Sequence, residues 1–169
     1  MNREIKFRGK GIEEYDKDKW YYGSYFIYNA INYFCLDDGS RTKEIDEKIK
    51  NNIKHKIIFE VQGDLNMENH IKLADVNPET VGQYTGLDDK NGKEIYEGDI
   101  VLLACYHYKE PVFDGEFEVI YDEINGMWLL VDLEDKENVY TFENIRGYYL
   151  TELEKIGNIY DNPEVLGGE

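Results

Sequence analysis

Residues 80–104 read Thr80-Val81-Gly82-Gln83-Tyr84-Thr85-Gly86-Leu87-Asp88-Asp89-Lys90-Asn91-Gly92-Lys93-Glu94-Ile95-Tyr96-Glu97-Gly98-Asp99-Ile100-Val101-Leu102-Leu103-Ala104. Two short runs rich in β-branched and aromatic residues, 81–85 and 94–96, flank a polar tip at 88–93. Asn91-Gly92 in that tip favours a tight hairpin, because both residues tolerate positive φ. Gly98-Asp99 then turns the chain into Ile100-Val101-Leu102-Leu103-Ala104, apolar enough to be a strand buried in a core.

The same rhythm continues toward the C-terminus. Strands are expected at 117–121, 127–133 and 139–145, separated by polar turns at 122–126 and 134–138. Their spacing of about eleven residues suits a small barrel or sandwich. A last strand at 154–160 ends at Asn162-Pro163, and residues 167–169 form a tail.

Working back from residue 80, Pro78 pushes Asn77 out of helical angles and makes 77–80 a turn. Residues 63–75 mix signals and take no type, so a soft boundary falls near 75. Ahead of it, 57–61 reads as a strand. Residues 43–54 read as an amphipathic helix, with Ile45, Ile49 and Ile53 on one stripe, Thr42 as N-cap and Glu44, Asp46 and Glu47 in the first turn. A tyrosine-rich strand at 19–28 turns at Asn29-Ala30 into 31–36 as a hairpin, and Ile5-Lys6-Phe7-Arg8 alternates as a half-buried strand should. The expected fold is mainly β with one short helix: a small β-rich region over 1–74, a second β domain over 75–166, and the tail.

The 169 residues, 41% hydrophobic and 14% aromatic, suffice for a real core. Neither an export signal nor a run of about 18 apolar residues is present, so no membrane association is expected and the cytoplasm is the expected compartment. Cys35 and Cys105 lie in apolar contexts and read as two buried free thiols rather than a disulfide. The formal charge of −17 is uneven. Lys and Arg balance Asp and Glu at ten each over residues 1–50, whereas residues 101–169 carry four against sixteen. Such a surface repels phosphate backbones and makes direct nucleic-acid binding unfavourable. It serves either solubility or a basic partner.

Candidate chemistry is sparse. His55, His70 and His107 share no ligand spacing. Cys105 and His107 would face one way on a strand, but zinc needs about four ligands. Glu94, Glu97 and Asp99 around Tyr96 suggest paired acids or a cation site; the plainer reading has Asp99 satisfying nearby backbone amides and both glutamates pointing to water. No phosphate loop, nucleophile elbow or zincin helix occurs. The chain is therefore expected to be no enzyme, with no catalytic residue, metal or cofactor. Of its fifteen tyrosines, Tyr15, Tyr21, Tyr22, Tyr25, Tyr28 and Tyr33 crowd the first segment, as packing or as an interface.

Several strings together resemble the YopX family of phage and prophage proteins of Gram-positive bacteria. They are Ile5-Lys6-Phe7-Arg8-Gly9-Lys10 with Trp20-Tyr21-Tyr22-Gly23, then Thr80 to Leu87 and Asp89 to Val101 as quoted above, and finally Ile156-Gly157-Asn158-Ile159-Tyr160-Asp161-Asn162-Pro163-Glu164. Residues 29–77 carry no such string. The resemblance implies an SH3-like β-barrel in the C-terminal domain and no catalytic residues, in a family of no established molecular function. Binding residues are sought within the strings, at Tyr21, Tyr22, Tyr84, Tyr96, Asp99, Asn158 and Tyr160. Three readings follow. The first is an accessory module that binds an unidentified host or phage protein, compatible with a homo-oligomer. The second is an acidic nucleic-acid mimic that inhibits a host DNA-binding or defence protein. The third is a weak nucleic-acid binder using Arg3, Lys6, Arg8 and Lys10 among aromatics, disfavoured by charge.

Overall fold

In a computed structural model the described residues are 4–17, 19–29, 43–63, 68–107, 110–142 and 150–166. The chain divides into two units, Lys6–Val81 and Met1–Ile5 with Gly82–Glu169.

In the first unit, β1 (Phe7–Lys10), β2 (Trp20–Asn29), β3 (Ile53–Val61) and β4 (His70–Asp75) are antiparallel neighbours in the order β4-β3-β2-β1. Alternation places Tyr25, Ile57 and Ala74 opposite one another on one face, where Tyr21, Ile57, Ala74 and Val76 form the core. Gly23 is required there, since a Cβ would lie 2.0 Å from the Ile58 carbonyl oxygen. The chain beyond β4 returns to β1. Val76 bridges Gly11, the Asn77 amide donates to the Lys10 carbonyl (2.9 Å), and the Lys10 amide donates to Thr80 Oγ1 (2.9 Å). Asn77 caps the 3-10 turn Pro78–Thr80 by accepting the Glu79 amide.

The helix α1 (Lys43–Asn51) is shorter than the expected 43–54. Ile53 opens β3 opposite Asn29, so the stripe holds only Ile45 and Ile49. The untyped segment 63–75 contains β4, while the expected strand 31–36 lies outside the described residues.

In the second unit, β5 (Gly82–Asp88) and β6 (Glu94–Tyr96) form the hairpin read from the sequence. Gly92 has φ +77°, and Asp89 accepts the Asn91 and Lys93 amides at 2.7 and 2.9 Å. A five-stranded antiparallel sheet follows, in the order β10-β9-β8-β7-β11, built from β7 (Asp99–His107), β8 (Glu110–Asp122), β9 (Met127–Asp132), β10 (Val139–Thr141) and β11 (Leu150–Asn158). Ile95, Val101, Leu103, Phe117, Val119 and Leu130 are fully buried together. The expected SH3-like closure is not found: β10 and β11 are the two edges of an open sheet, and no described pairing joins them. The strand expected at 139–145 is described only as β10.

Candidate functional site

Tyr84, Tyr96 and Asp99 come together, but inward. Asp99 is fully buried, accepts the Tyr96 amide at 2.7 Å and pairs with Lys155 Nζ at 2.8 Å. The reading of Asp99 as a partner for backbone amides is borne out. Lys155 also donates to the Glu94 carbonyl (3.3 Å) and lies 5.6 Å from the Tyr96 ring centroid, so one ammonium joins β11 to β6 and β7. Its own amide donates to Asp89 Oδ2. Burial alone would push the Asp89 carboxyl up, but the Lys93, Lys155 and Asn91 amides outweigh it and hold it below the usual value. Glu94, expected to point to water, accepts the Tyr96 hydroxyl at 2.6 Å. Tyr84 packs on Tyr96 and donates to Asp88 (2.7 Å); burial and that bond push its hydroxyl up to about 12.

The last string is an interlocked turn. Asn158 is buried, its Oδ1 accepts the Tyr160 and Asp161 amides, and its Nδ2 donates to Asp161. Tyr160 lies against Gly98, where a Cβ would stand 3.0 Å from the ring. Of the seven residues proposed from the strings, Tyr21, Tyr84, Tyr96, Asp99 and Asn158 are buried.

In the first unit Tyr21 donates to Asp16 Oδ2 (2.8 Å), and burial with that bond pushes its hydroxyl up to about 12. Tyr22 faces outward, 42% exposed. Arg8 is 1% exposed, with its guanidinium 4.7 Å from the Trp20 ring centroid, which removes it from any nucleic-acid-binding row on β1. His55 shares a hydrogen bond with the Tyr25 hydroxyl. The Cys105 and His107 side chains and all of Cys35 lie outside the described residues. Among the described residues no group of three His, Cys, Asp or Glu side chains is placed to hold a metal ion, and no helix is long and apolar enough to cross a membrane.

The outward face of β2, β3 and β4 has a different character. Register puts Ser24, Ile58 and Leu73 in one row, Phe26, Lys56 and Asp75 in the next, and Tyr28 opposite Lys54. Tyr28 stacks on Phe26 at 5.7 Å. Tyr28 is 40% exposed, Leu73 54% and Ile71 70%. Lys56 and Asp75 pair at 2.6 Å among these apolar groups; the bond to Asp75 raises the Lys56 ammonium above its ordinary value. Tyr22 and Tyr28 were visible to sequence reasoning as interface candidates. Ile71 and Leu73 were not, although their alternation with Lys72 and Ala74 was the signal.

A crystal structure of protein EF1440 from Enterococcus faecalis is similar to this chain at 24% identity and a TM-score of 0.46, covering 98% of this chain and 100% of that one. No curated protein matches the chain. The family model described as YopX protein matches residues 6–167, nearly the whole length that the quoted strings span, and the chain belongs to the YopX family.

Proposed function

We propose that this YopX protein is a non-catalytic, phage- or prophage-encoded accessory module that binds a host or phage protein in the bacterial cytoplasm. The observation that carries this reading is the outward face of β2–β4. There Tyr22, Phe26, Tyr28, Ile58, Ile71 and Leu73 share one side of the sheet, four of them between 40 and 70% exposed. Exposed apolar and aromatic side chains interleaved with a charge pair are the mixed composition of interaction surfaces, and exposed tyrosines give large contact area with little entropy to lose. Affinity capture from host lysate tests the reading, using wild type beside I71T/L73T, which places strand-favouring threonine at both positions of β4. The expected result is a protein retained by wild type and lost with the variant. Equal retention by both, or no retained protein, contradicts the reading.

The acidic sheet of the second unit favours the mimic as a second reading. Glu154 and Glu116 lie on either side of Leu102, and Glu152 and Asp114 on either side of Ala104, making two carboxylate columns that flank β7. Within a column, alternate residues of a strand are spaced at about 6.7 Å. Lys90 pairs with Glu154 and Glu152 at 2.7 and 3.6 Å, while burial pushes the half-buried Glu118 carboxyl up. This reading expects a basic DNA-binding protein to be displaced from DNA by the chain, steeply less so with added salt. No displacement at low salt would exclude it.

A further inference from the structure

Between the loop that follows β1 and the strands β3 and β4 lies a cleft of about 390 Å³, within the range of small-ligand sites. Three observations bear on what it takes. Its walls include three aromatic rings, Tyr15, Tyr21 and Phe59, the last two 5.1 Å apart. Tyr15 is 85% exposed.

A buried carboxylate also stands in that wall. Asp16 is 7% exposed; its Oδ2 accepts the Tyr21 hydroxyl, whereas its Oδ1 is buried with no hydrogen-bond partner among the described residues. The loop is built to put it there. The Asp16 amide donates to the Glu13 carbonyl, the Lys19 amide to the Asp16 carbonyl, and the Gly11 amide to the Lys19 carbonyl. At Gly11 any Cβ would meet Asp16 Oδ1 at 2.4 Å. A buried carboxylate with an unpaired oxygen makes its surroundings attract a cation and repel an anion.

The cleft already gathers a cation of its own. Lys19 Nζ lies 4.9 Å from the Tyr21 ring centroid, an ammonium on an aromatic face. The remaining charges in the walls are Glu13, Lys72 and Asp75, and Asp75 is matched by Lys56 at 2.6 Å. Lys19 is thus an internal stand-in for the ligand class that aromatic walls and a buried carboxylate select.

We propose that this cleft binds a slender organic cation, a guanidinium or ammonium group carried by a partner's basic side chain or by a free polyamine, which displaces Lys19 from the face of Tyr21. The inference does not depend on the outward face of β2–β4, since a different set of side chains carries it.

The test is a titration of the full chain followed by two-dimensional amide NMR, with N-acetyl-arginine methylamide, spermidine and N-acetyl-aspartate as probes. The two cations are expected to shift Tyr15, Tyr21 and Phe59, and the anion to leave them in place. K19M, which keeps the stem and removes the competing ammonium, is expected to tighten cation binding roughly three- to fivefold, and E13Q to weaken it. Saturation at lower arginine-probe than spermidine concentration would identify a protein side chain as the source; the reverse order would identify a polyamine. The proposal is overturned if neither cation moves these resonances, if aspartate moves them equally, or if K19M binds no tighter.

Discussion

Gly98 and Gly92 share a backbone conformation, φ +76° and +77°, but not a setting. A side chain at Gly92 meets nothing within 4 Å, whereas one at Gly98 meets the Tyr160 ring at 3.0 Å. Gly92→Ala should cost roughly 1 kcal/mol in urea unfolding, the price of the left-handed conformation alone, and Gly98→Ala about 1 kcal/mol more. Equal losses would contradict the ring contact. Asp89 makes a prediction about acid. Its carboxyl is held below the usual value in the folded chain, so its contribution is fully present above its unfolded value near pH 4 and is lost as pH falls through the lower folded value. Unfolding free energy measured from pH 6 to pH 2 should fall less steeply in Asp89→Asn than in wild type, although the variant is less stable at pH 6. Residues of this kind were legible where the chemistry is local. Asp99 follows a glycine at a strand entry, whereas Asp89, two residues before Asn-Gly, was read only as part of a polar tip. The Glu94 bond to Tyr96 was missed, although strand alternation puts residues two apart on one side.

Among the elements, β7 and α1 are opposites. Val101 and Leu103 of β7 are fully buried, while no residue of α1 is buried. Leu103→Ala should therefore cost about 2–5 kcal/mol, and Ile49→Ala less than about 1 kcal/mol, in chemical denaturation. A large loss at Ile49 would mean that the helix carries packing its exposure does not reveal. Strands were legible where apolar runs met glycine or Asn-Gly, as at Leu87 to Ala104. The helix end was not, because Ile53 continues the four-residue repeat while its backbone belongs to β3. Strand β4 was hidden because its six residues pair Ile71 and Leu73 with a lysine, a histidine and an aspartate, too weak a pattern to type alone. The barrel expectation failed because closure depends on pairing between strands distant in sequence, which local periodicity does not encode.

At the scale of the molecule, net charge is unevenly divided. Residues 82–169 carry six Lys and Arg against twenty-one Asp and Glu, a net of −15, whereas residues 6–81 carry twelve against fourteen, a net of −2. The outward face of β2–β4 belongs to the nearly neutral unit, and the buried Asp99–Lys155 pair to the acidic one. Much of what the family strings specify is thus internal support: turns, a buried ion pair and close-packed glycines. The binding reading instead draws on side chains that fold stability does not need. Thermal and urea unfolding of Y28T/I71T/L73T beside Asp99→Asn tests that division most directly. The triple variant is expected to stay within about 1.5 kcal/mol of wild type, as surface substitutions do, while Asp99→Asn is expected to lose about 3 kcal/mol or more by stripping Lys155 of its buried partner. A triple variant that unfolds as readily as Asp99→Asn would contradict that division, since that face would then be part of the core.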